Sequence, residues 1–265
     1  MGAVHGQGTH AGPEAAWLRP LEARPDATSR LILLPHAGGS AGFFRDWPKA
    51  LPPDIEAWAV QYPGRERRIK EPPARSLDEL ARGAADAIAP LLDRPTAVLG
   101  HSMGATIGYE VLRLLLADPG HARALVHFFA SARQAPHHPR DRQVHLLPEE
   151  EFLEVLRRHG GVNAEVLAEP DLRDLFLPIV RADYRLAETH VPTPVSPPLP
   201  LDLTVLTGTA DLAVEPAAAA RWADVTAGSF HHEVLPGDHF FPAAQLPAVA
   251  SVVTRRLRVS AARPG

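Results

Sequence analysis

The sequence predicts an α/β fold: a mostly parallel sheet with helices on both faces, interrupted by one helical insertion. Three observations carry this. Short apolar runs alternate with helix-spaced segments along most of the 265 residues, the order that builds crossover-connected parallel strands. The runs are apolar at consecutive positions, as strands buried on both faces are. From Pro136 to about Pro200 the rhythm stops, and charged amphipathic segments follow one another with no strand between them.

The elements follow in order. "RLILLP", residues 30–35, reads as a buried strand that runs into the glycine-rich loop "HAGGSAG". "IEAWAVQ" forms the second strand and ends at "YPGR". From Ser76 to Leu92 the apolar positions Leu77, Leu80, Ala84, Ile88 and Leu91 keep helical spacing, and Ser76 with Glu79 makes a capping box. Strand "TAVLGH", a helix from Met103 to Ala117 and strand "ALVHFFAS" repeat the order. The insertion holds "PEEEFLEVLRRHGG" and "PDLRDLFLPIVRADYRLAETH", and the proline-rich "VPTPVSPPLPL" returns the chain to the sheet. "LDLTVLTG", a helix over Pro216–Asp224, "FHHEVLPG" and a helix over Pro242–Arg258 complete it. Residues 1–28 are expected to be flexible, and 29–265 to form a single domain with its insertion at about 136–190.

Composition narrows the function. With 45% hydrophobic and 22% charged residues the chain is globular, and with no cysteine it has neither disulfides nor a thiol nucleophile. A net charge of -4 supplies no global field for nucleic acid, so no nucleic-acid partner is expected. No run approaches the ~18 apolar residues of a membrane span. The opening "MGAVHGQGTHAGPEAAW" lacks a basic start followed by an apolar core, so a cytoplasmic location is expected.

The chemistry centres on "LGHSMGAT", residues 99–106, where Ser102 stands between Gly100 and Gly104. Gly-x-Ser-x-Gly alone is a weak pattern, and a turn with a helix-capping serine is the simpler alternative. Here, however, the motif follows a strand and opens a helix, the setting of a nucleophile elbow. A serine hydroxyl needs a base, and the base needs a carboxylate to orient it. His239 in "PGDHFF" and Asp211 in "TGTADLAVEP" follow the last two strands, at the sheet edge expected to hold Ser102. Asp238 is the weaker acid candidate because it adjoins His239 in the chain. The backbone N–H groups of Met103 and of Ala37, in the loop after the first strand, are the expected oxyanion donors. His36 is expected to shape that loop and His101 to pack beneath the elbow. "HAGGSAG" fits neither nucleotide-binding glycine pattern. The pairs His137/His138 and His231/His232 lack the spacing of a zinc site. No metal and no cofactor are expected.

"PHAGGSAGFFRDW", "VQYPGRERR", "EPPARSLDEL", "GHSMGATIGYEV", "RADYRLAE", "TGTADLAVEP" and "PGDHFF" together resemble the discrete type II thioesterases that accompany polyketide and nonribosomal peptide synthases, members of the α/β-hydrolase superfamily. The resemblance covers roughly residues 17–255. It implies the triad Ser102, Asp211 and His239, oxyanion donors at Ala37 and Met103, and a helical lid over about 136–190. It also implies hydrolysis of acyl groups from the phosphopantetheine thiol of an acyl or peptidyl carrier protein, clearing stalled chains. The basic run of Arg65, Arg67, Arg68 and Lys70 is a candidate docking patch for an acidic carrier, against the simpler reading of local ion pairs with Glu66 and Glu71. A monomer is expected. A carboxylesterase or lipase with the same triad, or a non-catalytic binding module on the same fold, are the alternatives.

Overall fold

Each apolar run becomes a strand in the computed structural model, which describes residues 14–138, 143–160 and 169–262. The strands are β1 (Leu18–Pro20), β2 (Ser29–Leu34), β3 (Ile55–Val60), β4 (Thr96–His101), β5 (Leu125–Ser131), β6 (Asp202–Gly208) and β7 (Phe230–Leu235). They form one sheet in the order β1-β3-β2-β4-β5-β6-β7. Only β1 is antiparallel to its neighbour. This strand lies inside the stretch 1–28 expected to be flexible, and it corrects that expectation from Glu14 onward. Leu18 pairs with Val60 and Pro20 with Trp58, so the stretch is tied down by the edge of the sheet. Residues 1–13 lie outside the described residues.

Alternation along the strands divides the core into two layers. Ile32, Leu34, Val98 and Phe128 pack with the helices α1 (Leu77–Ile88) and α2 (Met103–Leu115) on one face. Leu31, Leu33, Leu99 and Phe129 pack on the other face with α5 (Leu246–Ala261), through Val249, Val253 and Leu257. The cap of α1 forms with one change from expectation. Ser76 Oγ accepts the Glu79 N–H at 3.1 Å, but the Glu79 carboxylate takes the N–H of Arg75 rather than that of Ser76.

The chain leaves β2 for β3 on one side and later returns to β4 on the other. The loops after β2 and β4 therefore separate at a topological switch point, where open α/β sheets bind ligands. Because β2, β4, β6 and β7 run parallel, the loops that follow them all open on this one edge.

The insertion between β5 and β6 contains α3 (Glu149–His159) and α4 (Pro170–Thr189). Phe152, Leu153, Leu156, Leu177 and Val180 give it a small core of its own. Glu188 accepts the N–H groups of Val144 and His145, and Arg181 donates to the carbonyls of His145 and Leu147, so α4 holds the chain that precedes α3. The parts of the expected insertion at 139–142 and 161–168 lie outside the described residues. Among the described residues, no helix is long and apolar enough to cross a membrane.

Candidate active site

The turn from β4 into α2 is built on its two glycines. A Cβ on Gly100 would lie 2.1 Å from the Gly104 carbonyl oxygen, and one on Gly104 would lie 2.1 Å from the Leu34 carbonyl oxygen. No other residue allows so close an approach of backbone to backbone. Between them Ser102 takes φ 55 and ψ -117, a conformation that L-residues rarely hold unless the surroundings over-determine it. The Ser102 N–H donates to the Ser131 carbonyl at 2.8 Å, which helps to fix it there.

The loops after β6 and β7 bring the other two groups. His239 Nε2 lies 2.9 Å from Ser102 Oγ, and His239 Nδ1 lies 2.9 and 3.1 Å from the two carboxylate oxygens of Asp211. The Asp211 side chain is fully inaccessible and also accepts the Ala213 N–H at 2.8 Å. A carboxylate only accepts, so Nδ1 carries the proton and Nε2 presents its lone pair to the serine hydroxyl. Asp238 turns the other way, its carboxylate accepting the Phe240 N–H at 2.8 Å.

Ser102 and His239 open into a cavity of about 310 Å³, lined also by Ala37, Met103, Tyr184 and Leu212. Among the described residues, the backbone N–H groups of Ala37 and Met103 donate to no protein acceptor, and both border this cavity beside Ser102. The arrangement offers a hydroxyl with an oriented base, next to two unspent backbone donors. That is equipment for acyl transfer, and it does not by itself distinguish a thioester from an oxygen ester.

Comparison with known proteins makes the distinction. The profile of the thioesterase domain family matches residues 29–257. A probable cadicidin biosynthesis thioesterase of Streptomyces griseus is 36% identical, over 94% of this chain and 68% of its own. Thioesterase PikA5 of Streptomyces venezuelae is 34% identical, over 94% and 88%. The structure of BorB, described as the type II thioesterase of the borrelidin biosynthetic cluster, superimposes with a TM-score of 0.82 at 37% identity, covering 92% of this chain and 98% of that one. The chain belongs to the thioesterase domain family.

This thioester hydrolase keeps two further histidines neutral next to His239. His36 is held down to about 3 by burial first, with the neighbouring His239 and the Arg65 guanidinium adding to it. Burial pushes His101 well below its ordinary 6.5, with His239 and His36 adding to it. His101 stacks under Phe43 and bonds Ser131 Oγ through Nδ1, which makes it a packed residue of the elbow. For a histidine depressed in the folded state, the unfolded chain takes up the proton first. The stability contribution is therefore complete above pH 6.5 and drains away as the pH falls toward 3. Urea midpoints measured from about pH 7 down to about pH 5 should fall, with His36 alone accounting for about 2 kcal/mol. His36→Gln should flatten that slope.

The structure divides the basic run offered as a candidate docking patch. Arg65 is 5% and Arg68 8% exposed, and both point inward. Arg68 clamps Glu71 with two hydrogen bonds and lies over the Trp17 ring, 4.3 Å from its centre. Arg65 forms a bidentate pair with Asp183 at 2.7 and 2.9 Å. A guanidinium with a buried carboxylate to fork onto leaves solvent, as Arg65 does, while Arg68 is drawn in by the Trp17 ring and by the Gln61 carbonyl, to which its Nη1 donates at 3.0 Å. Arg67 and Lys70 remain exposed. Asp183 itself was not legible as part of the site, although it stands in "RADYRLAE", one of the stretches that carry the family resemblance. The remaining histidine pairs are put to other uses, His137 beside Asp224 at 3.1 Å and His232 beside Thr207 at 2.9 Å.

Proposed function

We propose that Ser102 is the acyl-accepting nucleophile, His239 its general base and acid, and Asp211 the group that orients the base. One observation carries this reading: the unbroken hydrogen-bond relay from Asp211 through His239 to Ser102 in a chain of the thioesterase family. As Ser102 Oγ bonds to the acyl carbon, its proton passes to His239 Nε2 and the carbonyl oxygen becomes an oxyanion, received by the N–H groups of Ala37 and Met103. Collapse breaks the C–S bond, and His239 returns the proton to the leaving sulfur. A thiol has a pKa of about 8.5, so it departs more readily than an alcohol. Water then repeats the sequence on the acyl-serine: its proton goes to His239, the carboxylic acid leaves, and Ser102 regains its hydrogen.

The substrate in this reading is an acyl group on the phosphopantetheine thiol of an acyl or peptidyl carrier protein of polyketide or nonribosomal peptide synthesis. The role is removal of chains that stall the synthase. Relatives named for cadicidin and borrelidin biosynthesis support it. So does a cavity at the lower end of the ~300–1,000 Å³ of ligand pockets, suited to short acyl chains. The enzyme acts as a cytoplasmic monomer on a separate carrier. The helices α3 and α4 serve as its lid, and the surviving docking charges are Arg67 and Lys70.

One substrate comparison tests the whole reading. The expected order of kcat/KM is acyl carrier protein first, then the same acyl group on N-acetylcysteamine, then its simple oxygen ester. The double variant Arg67→Glu/Lys70→Glu should raise KM for the acyl carrier protein about 5-fold, while the small thioester changes less than about 2-fold. Preference for the oxygen ester would promote a carboxylesterase or lipase, and equal losses on both thioesters would remove the docking role.

A further inference from the structure

Helix α4 rests directly on the glycine loop that carries Ala37. At Gly38 (φ +74) a Cβ would meet Val180 Cγ2 at 2.7 Å and Phe176 Cζ at 3.1 Å, so loop backbone and helix touch where only glycine fits. Asp183 lies on the same face of the helix, spaced seven and three residues from those two. Its carboxylate reaches into the loop, and Oδ2 accepts the Gly38 N–H at 2.7 Å.

Asp183 is only 2% exposed, and a buried carboxylate persists only when paired. Arg65 supplies the pairing, bidentate, and its Nη1 also donates to the Gly39 carbonyl at 3.1 Å. At the other end of the loop the Tyr62 hydroxyl donates to the Pro35 carbonyl at 3.3 Å. The loop is thus held on both sides of Ala37, at Pro35 and at Gly38–Gly39, while Asp183, Arg65 and Tyr62 are absent from the lining of the cavity at Ser102 and His239. Stability alone is a poor reason for such a pair, because desolvating two charges offsets most of their attraction. Its geometry is spent on the loop instead. Pairing matters for the chemistry as well, since an uncompensated carboxylate beside the loop would oppose the negative charge that develops on the substrate oxygen.

We infer that Asp183, with Arg65 as its counter-ion, is a positioning residue that holds the oxyanion loop in its working conformation only while α4 is seated upon it. Lid helix and oxyanion hole are then a single device, and release of α4 at Asp183 disarms the site. The inference rests on the reading of Ser102 as nucleophile and of Ala37 and Met103 as oxyanion donors.

The test combines kinetics on an acyl-N-acetylcysteamine thioester with two inhibitors of matching acyl chain. One is a trifluoromethyl ketone, which the serine converts to a tetrahedral oxyanion; the other is an unreactive thioether, which mimics bound substrate. Asp183→Ala should lower kcat about 100-fold, the lower end of the cost of losing an oxyanion donor, with KM within about 3-fold. Ki for the ketone should weaken by a similar factor and Ki for the thioether should hold. Asp183→Asn keeps an oxygen for the Gly38 N–H but breaks the charge pairing, and should lose about 10-fold in kcat. If Asp183→Ala does not fold, Asp183→Asn is read by the same criteria. Unchanged kcat, or equal weakening of both inhibitors, overturns the inference. Labelling of the wild type with a fluorophosphonate separates the two levels: failure to label Ser102 overturns the underlying reading, while normal labelling with inert Asp183 variants overturns only the positioning role.

Discussion

Ser102→Ala should cut kcat by roughly ten thousand-fold to a millionfold, the range found when a serine nucleophile is removed from a triad. The residual rate then comes from binding and the oxyanion donors alone. The fold should survive the change. Alanine meets the same cost as serine at φ 55, and the hydrogen bond that helps to hold the turn in place comes from the backbone N–H to Ser131. The measurement is twofold: turnover of an acyl thioester, and intact mass after brief exposure to substrate, where the acyl adduct of the wild type should be missing from the variant. Unchanged turnover would remove Ser102 from the mechanism, and with it the proposed chemistry.

Asp211→Asn should lower kcat by about ten thousand-fold with little change in KM. The reason is a proton in the wrong place. Asp211 accepts from His239 Nδ1 and leaves Nε2 free to receive the serine proton. An asparagine amide donates to Nδ1 instead and drives the proton onto Nε2, where it can only donate toward Ser102 Oγ. The loss should be insensitive to substrate concentration, because nothing that binds the acyl chain has changed. Asp238→Asn serves as the control. Its carboxylate is committed to the Phe240 N–H, so an effect beyond about 3-fold is not expected. A large loss in Asp238→Asn with none in Asp211→Asn would reverse the assignment of the acid.

Both predictions concern residues that could be picked out before any coordinates. Strands buried on both faces are written as continuous apolar runs. Loops that follow parallel strands must open at one edge, so a serine after β4 and an aspartate and a histidine after β6 and β7 are brought together by topology alone. The edge strand Leu18–Pro20 carried no such signal. Three residues are too few to show a period, and their pairing partner is β3, some forty residues away.

The same division runs through the site. Gly100, Ser102 and Gly104 sit within five residues of each other, and the backbone they need is local, so their role is readable in the string. The basic run from Arg65 to Lys70 is just as local, yet its meaning is not. Whether a guanidinium faces water or a buried carboxylate depends on what the fold places beside it. Asp183 stands 118 residues from Arg65, on a helix whose approach to the sheet is set by Gly38, Phe176 and Val180. Sequence by itself determined the six parallel strands, the elbow and the three side chains of the relay, because each follows from local pattern plus strand order. Only the tertiary structure decided that Arg65 turns inward onto Asp183 and that an insertion helix grips the glycine loop, because an ion pair between distant segments leaves no periodic trace in either of them.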